Sequence, residues 1–337
     1  MIKQLKKPFV YAGIFSLLLL LLDAGVLLKT FIIPSAITSV TEQPNTTDID
    51  TNRNTDTNTD SNTNSNTNSN TDSNPNNNPN NNTDTDSSSQ DAKITETSYQ
   101  DDNIQISLET FRKYDTTIYV ADITLSSADY LKTALAQNTF GTNITEKTSE
   151  LAAEKNAIFA INGDYYGANN RGYVIKNGVL YRSTIRENSD YGDLVIYQDG
   201  TFGIIDETQI SADQLIQDGV TNLFAFGPTL IKDSTITVSE HEEVGRAMSS
   251  NPRTAIGIVD SLHYIVLVWD GRTSESEGLS LYEVAEIMQE YGCSTAYNLD
   301  GGGSSTMYFN GQIINNPTTN GRKISERSVS DIVYIGY

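Results

Sequence analysis

The chain has 337 residues, with 22 Lys+Arg against 43 Asp+Glu and a formal net charge of −21. That balance argues against nucleic acid as a partner, because a phosphate backbone demands a basic face. A single Cys293 rules out an internal disulfide, and only His241 and His263 are present, too few for a multi-histidine zinc site.

The first element is an apolar run, "PFVYAGIFSLLLLLLDAGVLLKTFII", preceded by Lys3, Lys6 and Lys7. Pro8 to Leu28 is long enough for a bilayer-crossing helix. Its basic flank predicts an N-terminus inside and the rest of the chain outside, a single-pass membrane arrangement. Asp23 opposes that reading, and a cleaved signal peptide giving a secreted chain is the alternative. Residues 1–34 are therefore expected as an anchor or signal segment.

Residues 35–93 are rich in Asn, Thr, Ser and Asp, and almost nothing among them can be buried. A disordered linker is expected there, with a coil span on the order of 40 Å. Asp56-x-Asn58-x-Asp60 imitates the start of a calcium loop, but Ser61 and Thr67 stand where Gly and Glu are needed.

Residues 94–337 form the expected globular domain, with 33 Asp+Glu against 16 Lys+Arg, a charge of 16 − 33 = −17. Helices are expected at "SSADYLKTALAQ" and "TSELAAEKN". Turn dipeptides predict hairpins at Asn177-Gly178, Asp199-Gly200 and Asn310-Gly311. Ser211-x-x-Gln214 opens a short helix that Gly219 stops. "TAIGIVDSLHYIVLVW" reads as two long strands. Ser280-x-x-Glu283 is a capping box opening "LYEVAEIMQEYG", with Leu281, Val284, Ala285 and Met288 on one face. Strand pairs with helices between them predict a single α+β domain with a mixed, largely antiparallel sheet and flanking helices. Cys293 is expected as a small buried side chain and His263 as structural.

Chemistry gathers where apolar strands stop. "AIFAINGDYYG" delivers Asn162 and Asp164, "NPRTAIGI" places Arg253, and "IVLVWDGR" ends in Asp270 and Arg272. "AYNLDGGGSSTMYF" offers Asp300, Gly301, Gly302 and Ser304, and "ERSVSDIVYIGY" brings Arg327 before the last strand. Acids, amides and arginines at strand ends suit a site built on a rigid sheet. Three glycines and two serines exceed what a plain turn requires, and glycine loops let backbone N–H groups approach an anion. No Gly-Lys-Ser/Thr ending follows, so the anion need not be a nucleotide.

The motifs "INGDYYG", "FAFGPTLI", "NPRTAIGI", "WDGR", "AYNLDGGGSSTMYFNG" and "ERSVSDIVYI", in this order, resemble the phosphodiester glycosidase family over about 100–337. The resemblance implies an enzyme that hydrolyses the bond between a sugar's anomeric carbon and a phosphodiester. Carried over position by position, it gives Asp300, Asp270, Asn162 and Asp164 catalytic roles. Arg253, Arg327, Arg272, Gly301, Gly302 and Ser304 would hold the phosphate. Asp164 and Arg272 depart from the residues of a lysosomal member of that family, which implies a different or more anionic substrate.

The chemistry fits these residue types. An oxocarbenium-like transition state calls for a carboxylate, and the departing phosphate ester calls for arginines rather than a histidine acid. The expected partner is a glycosyl phosphate or a wall or capsule polysaccharide, linking the chain to exopolysaccharide. No cofactor is expected, with calcium a lesser possibility carried by the abundance of oxygen ligands. The alternative is a non-catalytic cell-surface protein that binds glycans or assembles exopolysaccharide.

Overall fold

The structure, a computed structural model, describes residues 15–23, 25–26, 33–36, 92–186, 192–241 and 251–337. No helix among the described residues is long and apolar enough to cross a membrane. This overturns the single-pass placement read from the apolar run; the secreted alternative is compatible with it. The low-complexity part of the expected linker lies outside the described residues, but Ser35–Ala36 forms a short strand antiparallel to Gly141–Thr142.

Two antiparallel sheets build the domain. The larger has nine strands, in the order Thr235–Ile236, Thr229–Lys232, Thr295–Asn298, Arg253–Asp260, His263–Trp269, Thr116–Leu125, Ile104–Lys113, Ser98–Gln100 and Lys93–Ile94. The smaller has five: Gln312–Ile313, Met307–Phe309, Phe159–Asn162, Asp331–Ile335 and Leu131–Leu135. Alternation of side chains along each strand gives both sheets two apolar faces. Tyr119, Ala121, Ile123, Ile256, Ile258 and Val266 of the first meet Phe159, Ile161, Phe309 and Val333 of the second in one core.

Each outer face is covered by a helix. Leu281–Glu290 lays Leu281, Val284, Ala285, Ile287 and Met288 against Ile118, Val120, Leu267 and Trp269. Burying four large apolar side chains contributes about 1.5–3 kcal/mol each. The Ser280–Glu283 capping box is formed, with Ser280 Oγ accepting from Glu283 N and Glu283 returning to Ser280 N. Thr148–Glu154 puts Leu151 and Ala152 against Ala160 and Ile332 on the other side. The layers therefore run helix, sheet, sheet, helix. A three-stranded sheet, Phe202–Ile205, Asp193–Tyr197 and Val220–Phe224, joins the central core through Leu194, Ile196 and Phe224.

The hairpins form as expected at Asn177-Gly178, Asp199-Gly200 and Asn310-Gly311. "SSADYLKTALAQ" does not make the expected helix. It gives a 3-10 turn at Ala128–Tyr130 and then the strand Leu131–Leu135, which pairs with Asp331–Ile335. Completing a sheet edge and burying Leu131, Ala134 and Leu135 outweighs the helix propensity of Ala, Leu and Lys.

Candidate active site

Register brings the polar strand ends together. Arg253 pairs with Trp269 and Ala255 with Asn298 in the large sheet, while Asn162 pairs with Ile332 and Met307 with Ile161 in the small one. The residues after Trp269, Asn298 and Asn162, and those before Arg253 and Asp331, thus meet at one end of the sandwich. His263 starts the strand that ends at Trp269, so it stands at the far end, bonded to Asp122 at 2.9 Å.

A cleft of about 410 Å³ opens there, lined by Tyr165, Phe226, Asn251, Pro252, Arg253, Arg272, Asp300, Gly301, Gly302 and Arg327. Asp300 is the one carboxylate among these lining residues. Its oxygens accept from Arg327 Nη2 at 3.0 and 3.2 Å, and Oδ1 also accepts from Gly301 N at 2.8 Å. Burial pushes its pKa up, and the Arg327 guanidinium works against that rise. Arg327 is anchored further by Ser304 Oγ at 2.9 Å and Gly301 O at 2.8 Å, and its side chain remains 42% exposed. Arg253 is buried, its Nε toward Leu279 O at 3.4 Å. Tyr165 and Phe226, both lining the cleft, meet edge to face with centroids 6.4 Å apart.

The three glycines have separate reasons. A Cβ on Gly301 would lie 2.8 Å from Pro252 O, and one on Gly303 would overlap Thr319 Oγ1. Gly302 has φ of +64°, a left-handed conformation that side chains other than glycine's disfavour. The Gly302 N–H donates to Pro252 O at 2.7 Å and that of Gly301 to Asp300. Both N–H groups therefore bond within the protein, and the glycines lend the cleft space and carbonyls. Ser304 is fully buried and holds Arg327.

Three expected site residues lie behind the cleft wall. Asn162 donates to Asp300 O at 2.7 Å and accepts from Thr254 Oγ1 at 2.7 Å and Thr306 N at 3.3 Å. Asp164 accepts from Tyr166 N and Ala225 N, both at 3.0 Å. Asp270 accepts from Asn316 N at 2.7 Å, Asn316 Nδ2 at 2.8 Å and Tyr119 Oη at 3.0 Å. These bonds position the loops that carry the cleft. Among the described residues no group of three His, Cys, Asp or Glu side chains is placed to share a metal ion. Cys293 is buried and its thiol is pushed up to about 12 by burial, which keeps it protonated and unreactive.

Sequence reasoning did not single out the support beneath the cleft. Buried Lys176 Nζ lies 2.7 Å from Asp331 Oδ2 and 3.7 Å from Asp164 Oδ2, and 3.9 Å from the Phe224 ring centroid. Burial pushes the Asp331 carboxyl up to about 7, with Lys176 opposing the rise and Asp164 adding to it. A charge inside each of two apolar strands was the available signal. Phe226 and Asn251 stood inside quoted motifs, "FAFGPTLI" and "NPRTAIGI".

Comparison with known proteins agrees with this geometry. Residues 155–336 match the phosphodiester glycosidase family. The SPbeta prophage-derived uncharacterized protein YomE of Bacillus subtilis is 33% identical over 201 residues, 59% of this chain and 31% of that protein. Mouse N-acetylglucosamine-1-phosphodiester alpha-N-acetylglucosaminidase is 33% identical over 161 residues, 44% of this chain and 30% of that enzyme. The chain therefore spans about a third of the length of these relatives. The zebrafish enzyme's catalytic domain, solved auto-inhibited by its pro-peptide, superposes with a TM-score of 0.54 at 20% identity, covering 69% of this chain and 83% of that one, and so shares the fold. With the match running through the cleft's Arg253, Asp300 and Arg327, the chain belongs to the phosphodiester glycosidase family.

Proposed function

We propose that the protein hydrolyses a glycosyl phosphodiester by cleaving the bond from the anomeric carbon to oxygen. The observation that carries this reading is the cleft itself. A single carboxylate among the lining residues, Asp300, is bound to Arg327 beside Arg253 and Arg272, and the touching rings of Tyr165 and Phe226 give the cleft one aromatic wall. The sugar sits against Tyr165 and Phe226 with its anomeric carbon toward Asp300, whose carboxylate stabilises the oxocarbenium-like transition state. Arg253 and Arg327 face the phosphate and take up the negative charge that grows on it as the bond breaks. Water supplies oxygen to the anomeric carbon and a proton to the products, which are free sugar and a phosphomonoester. Asp164, Asp270 and Asn162 hold the loops rather than touch substrate. The names of the mammalian relatives suggest N-acetylglucosamine as the first sugar to try.

The test is to incubate the full chain with an N-acetylglucosamine-1-phosphodiester in oxygen-18 water and to locate the label by mass spectrometry. Label in the sugar supports the reading; label in the phosphate means phosphodiesterase chemistry and overturns it. Asp300→Asn should lower kcat/KM by at least about 10²-fold, the low end for removal of a catalytic acid or base. A loss under about tenfold, roughly 1.4 kcal/mol of barrier, removes Asp300 from the mechanism. Saturable binding without turnover on any glycosyl phosphate would favour a glycan-binding protein instead.

A further inference from the structure

We propose that Arg272 makes the site selective for phosphodiesters whose aglycone carries a second phosphate. The inference rests on the glycosyl-phosphodiester reading above and narrows its substrate class. Arg272 follows the strand ending at Trp269 and lines the cleft with φ of +62°, a conformation uncommon for a long side chain. Its guanidinium is held in place by neutral groups only. Nε and Nη2 donate to Asn251 Oδ1 at 3.0 and 2.8 Å, and Nη1 donates to Thr319 O. Among the described residues no carboxylate forms an ion pair with it.

The neighbouring charge is another cation. Burial and Arg327 both press the Arg272 pKa downward, so its surroundings oppose its charge. Arg327 is itself already balanced by Asp300 at 3.0 Å. Among the described residues the mouth thus fixes one cation with no counter-ion beside a second whose counter-ion lies in the site, on a domain of charge −17. Gly302 makes room for it, since a Cβ there would come within 3.1 Å of Arg272 Nη1. Arg272 is exposed at the rim, so the lack of a counter-ion leaves its guanidinium open to a bound anion rather than strained. The reacting phosphodiester lies beside Arg253 and Arg327 next to the sugar. A second phosphate on the aglycone falls at the mouth, where the planar guanidinium offers it paired N–H donors.

The experiment compares two probes on the full chain, N-acetylglucosamine-1-phosphomethanol and N-acetylglucosamine-1-phosphoglycerol bearing a terminal phosphate. Wild type should favour the second by about 10- to 100-fold in kcat/KM, the range for a hydrogen bond to a charged group. In Arg272→Asn, which suits the positive φ, the preference should fall toward one, and Arg272→Lys should retain part of it. Absence of a preference in wild type, or a preference unchanged in Arg272→Asn, overturns the proposal. If neither probe is hydrolysed, the glycosidase reading fails separately and calorimetry judges the mouth alone. Wild type should then bind inorganic pyrophosphate at least tenfold more tightly than methyl phosphate, and Arg272→Asn should not. Equal binding of the two anions by wild type, or a difference that survives in Arg272→Asn, overturns it.

Discussion

Lys176→Met isolates the buried ion cluster beneath the cleft. Lys176 and Asp331 are both nearly inaccessible, 2% and 0% exposed, and Nζ to Oδ2 is 2.7 Å. Methionine keeps the length and much of the contact with Phe224, so the main loss is the charge. Removing one partner of a buried pair costs about 3–5 kcal/mol because the other charge is left uncompensated. Here two carboxylates, Asp331 and Asp164, share the same lysine. With an m-value of about 2–3 kcal/mol/M, the urea midpoint should fall by about 1–2 M at pH 8. The effect should shrink at pH 5, with the following sign. Asp331 titrates near 7 in the folded protein and about 3.9 unfolded, so the folded state holds an extra proton between those values and loses stability as pH rises through them. Without Lys176 the carboxyl titrates higher still, and the variant's penalty continues to grow above pH 7. Lys176→Met with Asp331→Asn should recover most of the loss, since replacing both members is far milder than breaking the pair. Urea melts of both variants at pH 5 and 8 decide it. A loss below about 1 kcal/mol at pH 8, or one equal at both pH values, would refute the charge argument.

Two further substitutions test the surroundings. Asp193 is buried beside Arg186 and Glu207, and burial, opposed by Arg186 and aided by Glu207, pushes its carboxyl up to about 9. The folded state therefore carries the extra proton from about pH 4 to pH 9, and Asp193→Asn should gain on wild type as pH rises, by up to about 1.4 kcal/mol per pH unit. Parallel stability curves from pH 5 to 8 would contradict this. Gly303→Ala drives a methyl into Thr319 Oγ1 and within 3.2 Å of Arg327 Cβ. It should cost about 1–3 kcal/mol in a thermal melt, as overpacking does, and lower turnover with it; an unchanged melt would show that the loop yields easily.

Much of this architecture was legible because local signals and tertiary needs agree. The Ser280 box, the Asn-Gly turns and the strand-end polar clusters are each set by residues adjacent in sequence. "LYEVAEIMQEYG" could be read to its end because both its cap and its apolar stripe are local. "LKTAL" could not, since its partner strand lies some two hundred residues away and only that pairing decides its state. The same limit applies within the site. Asp300 and Asp270 look alike as acids after strands, yet one faces the cleft while the other is enclosed by Tyr119 and Asn316. The direction of a side chain past a strand end depends on loops that the strand's own residues do not specify.

Asn162 has a mechanical consequence. Its amide joins the end of one sheet to Thr254 and to the Asp300 carbonyl of the other, and Thr306 N returns to it. The floor of the cleft is thus cross-tied between the two sheets, in a layer that water does not reach. Sliding one sheet past the other would break all of these bonds together, so the amides of the floor should exchange with solvent only when the whole domain unfolds. The rim, carrying Arg272 and Arg327 on loops, lies outside these ties. Substitutions at the rim can therefore change what it admits without disturbing the spacing between the two sheets that fixes Asp300.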